Sequence, residues 1–72
     1  MLLLLDSDWV NRLARIAAQA EEVFGSMEKA SHWLRESNTA LGGVTPISLL
    51  DTDLGTRQVE NVLGRIEHGV YS

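Results

Sequence analysis

Apolar side chains recur at steps of three and four residues in the first part of the chain, from about Asp8 to Phe24. The recurring positions are Trp9, Leu13, Ile16, Ala20 and Val23. This spacing is typical of an α-helix with one apolar side. Acidic and hydroxyl side chains before it can cap its start and place negative charge there, and these are Asp6, Ser7 and Asp8. Gly25 is expected to end this first helix.

A second, shorter helix is predicted from Ser26, which can cap it, to about Ser37. Its apolar positions are Met27, Ala30, Trp33 and Leu34. This stripe can pack against the first helix to form an αα-hairpin. The stretch 37–44 is predicted to be a loop in which Gly42 and Gly43 permit positive φ, while Leu41 is expected to reach the core.

The sequence Thr45-Pro46 predicts a short helical turn through Leu50, because threonine can cap it and proline needs no hydrogen-bond partner at the first helical position. Its residues expected to face inward are Ile47, Leu49 and Leu50. A final helix is predicted to begin with Thr52 or Asp53 as its cap and to run to about His68. Its apolar face is predicted to comprise Val59, Val62, Leu63 and Ile66. Gly69 is the predicted αL terminator.

These segments predict an all-α fold, a compact small bundle of about four helices in which the third is a short turn. We find no alternating strand pattern. At 72 residues the chain is one domain, and a domain this small buries only about 60% of the surface of its unfolded chain. It has no cysteine for a disulfide. A homodimer or a complex is therefore the expected source of additional stability.

The chain carries 10 acidic and 6 basic residues, for a formal net charge of −4. Nucleic-acid binding needs clustered lysine and arginine, so this chain alone is not expected to bind DNA or RNA. An acidic surface suits a positively charged partner. The apolar run Leu2 to Leu5 is too short for a signal sequence or a membrane span, which takes about 20 residues. These features predict a cytoplasmic protein without membrane contact.

Residue patterns for catalysis or metal binding are incomplete. Asp51 to Gly55 resembles the start of a calcium loop, but Val62 stands where a bidentate glutamate is needed. His32 and His68 lack zinc-site spacing, and no residue supports a serine–histidine pair. We therefore predict no metal, no cofactor and no enzymatic activity.

Two features near the end of the chain leave alternatives open. Gly64 interrupts the final helix, where glycine costs up to about 1 kcal/mol relative to alanine, so either another helix crosses closely there or a partner chain does. Val70 and Tyr71 follow the predicted terminator. They can dock on their own bundle or insert into a partner.

Several ordered motifs carry a family resemblance over nearly the whole chain. These are A-E-E-V-F-G at 20–25, L-G-G-V-T-P at 41–46, L-L-D-T-D-L-G at 49–55 and V-E-N-V-L-G-R-I-E-H-G-V-Y-S at 59–72. They resemble the C-terminal toxin-binding domain of Xre/MbcA/ParS-type antitoxins. The resemblance implies a bacterial type II antitoxin module, spanning 1–72, that binds and inhibits a RES-domain toxin, an enzyme that degrades NAD. It also implies dimerisation.

Such antitoxins usually carry an N-terminal helix-turn-helix domain that binds DNA, and this chain lacks that domain. It is expected to be either an excised domain or a naturally short form. The alternative function is a dimerisation or regulatory module of a transcriptional regulator, which needs no special tail.

The resemblance implies that the C-terminal end faces the toxin's active site. An NAD pocket must hold a pyrophosphate and should be basic, so an acidic protein with a terminal carboxylate is suited to occupy it. We predict Tyr71 as the anchor and the carboxylate of Ser72 as the anion mimic. The predicted contact residues are Arg65, Glu67, His68, Gly69, Val70, Tyr71 and Ser72.

Overall fold

The computed structural model describes the backbone of residues 2–69 and the side chains of residues 8–69. Its three α-helices are α1 (Leu2–Phe24), α2 (Met27–Leu34) and α3 (Asp53–His68). Two 3₁₀ helices lie between α2 and α3, the first at Thr39–Leu41 and the second at Pro46–Asp51. The predicted all-α class and the short third element are confirmed. Within the described part, no helix has both the length and the apolar content needed to cross a membrane.

The first helix begins earlier than predicted. α1 starts at Leu2, so the stretch expected to cap it, Asp6 to Asp8, lies within the helix. The capping prediction is wrong because the residues before Asp6 are leucines, which favour a helix, and no glycine or proline interrupts them. At its other end the prediction is confirmed, since Gly25 has φ +87°.

The cap of α2 is confirmed, but its length is not. The hydroxyl of Ser26 accepts a hydrogen bond from the N–H of Lys29 at 3.1 Å. The helix ends at Leu34 and not at Ser37. Beyond Leu34, the N–H groups of Arg35 and Glu36 donate to carbonyl oxygens three residues earlier, as in a 3₁₀ helix. Met27 was predicted to be apolar core, yet 47% of its surface is exposed. It lies at the first position of α2, before the helix contacts the core.

The connection between α2 and α3 is organised by caps and by the predicted glycine turn. Oδ1 of Asn38 accepts from the N–H of Ala40 at 2.9 Å, and the backbone of Asn38 forms an isolated bridge with Val44. Gly42 and Gly43 both have positive φ, as expected. Thr45 caps the second 3₁₀ helix by accepting from the N–H of Ser48 at 3.3 Å.

Thr52 is the residue that caps α3. Its hydroxyl accepts from the N–H of Gly55 at 2.9 Å, and its carbonyl accepts from the hydroxyl of the buried Thr56 at 2.8 Å. A Cβ at Gly55 would overlap the carbonyl oxygen of Leu49, so glycine permits the close contact between α3 and the second 3₁₀ helix. The sequence did not indicate this role of Gly55.

The core lies where α1, α2, α3 and the second 3₁₀ helix meet. It comprises the buried residues Ile16, Ala20, Ala30, Leu34, Leu50, Val59 and Leu63. α1 and α3 run in the same direction, because Arg12 pairs with Asp53 near the start of α3 and Gln19 bonds to the carbonyl of Glu60 further along. Leu41 is half-buried and packs against the core from the first 3₁₀ helix, as expected.

The reading of Gly64 as a close helix crossing within the chain is wrong. A Cβ built at Gly64 would meet no described atom within 4 Å outside its own helix turn. The buried face of α3 turns away from this position, because its buried residues, from Gly55 to Leu63, lie on another side of the helix. The alternative of a partner chain at Gly64 stays a prediction.

Candidate functional site

The last turn of α3 carries the described members of the predicted contact set. Arg65, Glu67 and His68 are exposed, and Gly69 is half-buried. At about 100° per residue, Arg65 and Glu67 point to nearly opposite sides of the helix. The structure therefore brings these residues to one end of α3 without placing them on one face. Val70, Tyr71 and Ser72, the rest of the set, lie outside the described residues.

Gly69 does not terminate α3 in the predicted left-handed conformation. Its φ of −37° and ψ of −40° are right-handed helical values, and its N–H donates to the carbonyl oxygen of Arg65 at 2.7 Å. The prediction is wrong because this i→i−4 bond continues the helical pattern through residue 69. The helix direction is therefore kept to the end of the described chain.

Ile66 departs from the predicted core face. It was expected inside with Val59 and Leu63, but 42% of its surface is exposed. Its position along the helix explains the difference, since the buried part of α3 ends at Leu63 and Ile66 lies one turn further on. The last turn of α3 thus presents an apolar side chain to the surface.

A groove lies beside this turn, between the first 3₁₀ helix and α3, and its volume is about 210 Å³. We call it the α3 groove, defined by Ala40, Leu41, Gln58, Asn61, Val62 and Arg65. Leu41 and Val62 supply apolar surface, and the other α3 residues supply two amides and a guanidinium. Sequence reasoning missed the groove, and its one related signal was the expectation that Leu41 reaches the core.

The acidic residues of α3 lie away from the groove. Asp53, Glu60 and Glu67 are spaced by seven residues, which places them along one side of the helix. Two of them face α1, where Asp53 pairs with Arg12 at 3.5 Å and Glu60 with Arg15 at 3.4 Å. The side of α3 toward α1 is therefore acidic, and the groove side is not.

The histidines show no grouping for metal binding in the described part of the chain. Nε2 of His32 lies 3.2 Å from Glu36 on the surface, an i,i+4 pair at the end of α2. Among residues 8–69, no three His, Asp or Glu side chains gather in a way that could hold a metal ion. The calcium-loop resemblance of 51–55 is accounted for by the cap of α3, since Thr52 bonds to Gly55.

Comparison with known proteins identifies a family. Residues 19–69 match the family described as the antitoxin Xre/MbcA/ParS C-terminal toxin-binding domain. The match covers more than half of the chain, from the last third of α1 to the residue after α3. It includes the α3 groove and the last turn of α3.

Curated relatives agree with this match. The chain is 41% identical over 68 residues to an antitoxin Xre of Photorhabdus laumondii, covering 93% of this chain and 46% of that protein. It is 44% identical over 64 residues to an antitoxin Xre of Pseudomonas putida, covering 89% and 40%. A protein of Sphingobium named Prs ADP-ribosylating antitoxin is 38% identical over 76 residues, covering 93% and 48%.

The chain thus spans less than half the length of these relatives. As far as residue 69, the motifs that suggested the resemblance lie in the described helices and turns, including the glycine turn before Thr45, the cap of α3 and the groove side of α3. The chain belongs to the Xre/MbcA/ParS family of antitoxins, whose C-terminal toxin-binding domain it matches.

Proposed function

We propose that this chain is the toxin-binding module of a type II toxin–antitoxin system and inhibits a RES-domain toxin that degrades NAD. The observation that carries the proposal is the match of residues 19–69 to a domain described as toxin-binding. One relative, from Sphingobium, has ADP-ribosylation in its name, and ADP-ribosyl transfer consumes NAD. That name supports a toxin whose chemistry uses NAD.

Inhibition works by occupancy of the toxin's active site. α3 packs against the core as far as Leu63. Its last turn continues beyond the core and carries exposed side chains. The proposed contact set extends this turn and is Arg65, Glu67, His68, Gly69, Val70, Tyr71 and Ser72. Tyr71 is the anchor, and the terminal carboxylate binds where the pyrophosphate of NAD would bind.

The module acts in the cytoplasm as a binding protein and not as an enzyme, and it forms a homodimer. DNA binding belongs to a separate N-terminal domain. This division agrees with the net charge of −4 and with the greater length of the relatives.

Deletion of residues 70–72 tests the proposal. The shortened protein is expected to keep its helical circular dichroism and to lose inhibition when NAD consumption by the RES-domain toxin is followed. Tyr71→Ala should weaken inhibition in the same direction, because it removes the proposed anchor. A matched control is Val44→Ala, which truncates an exposed apolar residue on the connection between α2 and α3. Undiminished inhibition by the shortened protein would show that the tail is not the inhibitory element.

A further inference from the structure

We infer that the α3 groove is a second docking surface for the toxin, and that it takes an acidic segment of the toxin that also carries an apolar side chain. The identity of the partner rests on the proposed function. The groove itself rests on the geometry and charge of the described residues. On this inference the groove supplies affinity, and the C-terminal end supplies inhibition.

The shape of the groove suits a short peptide segment. Its α3 residues, from Gln58 to Arg65, recur at steps of three and four, so they follow one side of the helix for about 10 Å. The first 3₁₀ helix forms the opposite wall through Ala40 and Leu41. Three extended residues span about 10 Å, so a segment of that size can lie between the walls.

The lining is apolar at its base and able to donate hydrogen bonds at its rim. Val62 is 9% exposed and Leu41 is half-buried, so both offer apolar surface to an inserted side chain. Gln58, Asn61 and Arg65 are exposed. Within the described structure, these three side chains form neither an ion pair nor a hydrogen bond, so their N–H groups can serve a ligand.

Charge identifies the ligand as acidic. Arg65 is the one charged residue in the lining, although the chain as a whole carries a net charge of −4. Two carboxylates of α3, those of Asp53 and Glu60, face Arg12 and Arg15 of α1 on the other side of the helix. A carboxylate in the groove would receive charge-assisted hydrogen bonds from Arg65 and further bonds from the two amides. A cationic segment would meet Arg65 with no acidic group to offset it.

The toxin is a better occupant than a second copy of this chain. The exposed Ile66 follows Arg65 and continues the surface toward the end of α3 that is proposed to enter the toxin. A toxin bound at that end lies beside the groove and can present a segment from outside its NAD pocket.

The double substitution Gln58→Glu with Asn61→Asp tests the inference. Both positions are exposed, and both changes keep the size of the side chain while placing two negative charges on the rim. The variant is expected to bind the RES-domain toxin at least about tenfold more weakly by isothermal titration calorimetry, with a smaller loss at high salt. The matched control, Asn11→Asp with Ala18→Glu, adds two charges to exposed positions of α1 and should bind normally.

The same titration in a chain that ends at Gly69 separates the two proposals. This chain should still bind the toxin through the groove, and the double substitution should weaken that binding.

Three outcomes would contradict the inference. If the double variant binds the toxin with normal affinity and truncation abolishes inhibition, the inference about the groove is wrong and the proposed function is not affected. Absence of any binding between the intact chain and the toxin overturns both. A change in self-association by sedimentation, with unchanged toxin affinity, assigns the groove to a second copy and also overturns the inference.

Discussion

Two glycines of α3 have opposite surroundings, although both interrupt an otherwise regular helix. A Cβ at Gly55 would overlap the backbone of Leu49, whereas a Cβ at Gly64 would meet no described atom within 4 Å outside its own helix turn. Gly55 is therefore required by close packing between α3 and the second 3₁₀ helix. Within the described chain, Gly64 lowers the helix propensity and serves no contact.

Replacement of Gly55 by alanine should destabilise the fold. The added methyl forces α3 away from the second 3₁₀ helix, and such overpacking costs about 1–3 kcal/mol. Urea unfolding followed by circular dichroism measures the change. A free energy of unfolding equal to that of the unmodified chain would mean that the two elements do not approach closely.

Gly64→Ala should have the opposite effect and serves as the matched comparison. Alanine at an unobstructed helical position is expected to raise the free energy of unfolding by up to about 1 kcal/mol. The same urea titration detects it. Destabilisation would contradict the open space at this position.

At the scale of elements, the caps and turns between α1 and α3 were largely predictable. Ser26, Thr45 and Thr52 each cap the helix that follows. The first two were expected, and Thr52 was one of two candidates, beside Asp53. The start of α1 was not predicted, because the capping side chains at 6–8 are only one requirement for a helix start. The backbone before them continues the helix from Leu2.

Thr52→Ala should destabilise α3 more than Asp53→Asn. Thr52 accepts a hydrogen bond from Gly55 at 2.9 Å, and loss of such a cap costs about 1 kcal/mol. Asp53 is 87% exposed in its pair with Arg12, so its contribution is small. Thermal unfolding of the two variants compares them, and equal melting temperatures would contradict the assignment of Thr52 as the cap.

At the scale of the whole molecule, Arg12 joins three elements. Nε of Arg12 donates to the carbonyl oxygen of Leu50 at 2.7 Å, and a terminal nitrogen donates to that of Asp51 at 3.1 Å. Its side chain is 17% exposed, compared with 62% for Arg15. Arg12 thereby ties α1 to the end of the second 3₁₀ helix and to the start of α3.

Arg12→Met should lower the free energy of unfolding by about 2 kcal/mol, because a partly buried carbonyl loses a charged donor. Arg15→Met is the matched control on the same helix, and its exposed pair with Glu60 predicts a change below about 1 kcal/mol. Both are measured by urea unfolding. Equal effects of the two substitutions would contradict the bridging role of Arg12.

The sequence by itself determined the all-α class, the glycine turns at Gly25, Gly42 and Gly43, and the caps Ser26 and Thr45. It narrowed the cap of α3 to Thr52 or Asp53, and the structure shows Thr52. These features depend on a few neighbouring residues, whose backbone preferences and side-chain hydrogen bonds are local. The motifs at 41–46, 49–55 and 59–72 also indicated the family before any contact was known.

Only the tertiary structure decided what each apolar residue contacts. Ile66 and Met27 fit helical stripes but lie where no described element covers them. Glycine is required at position 55 because the backbone of Leu49 packs closely against it. The α3 groove likewise exists because the first 3₁₀ helix folds against α3. Periodicity tells which side of a helix is apolar, whereas burial depends on the length over which another element covers that side.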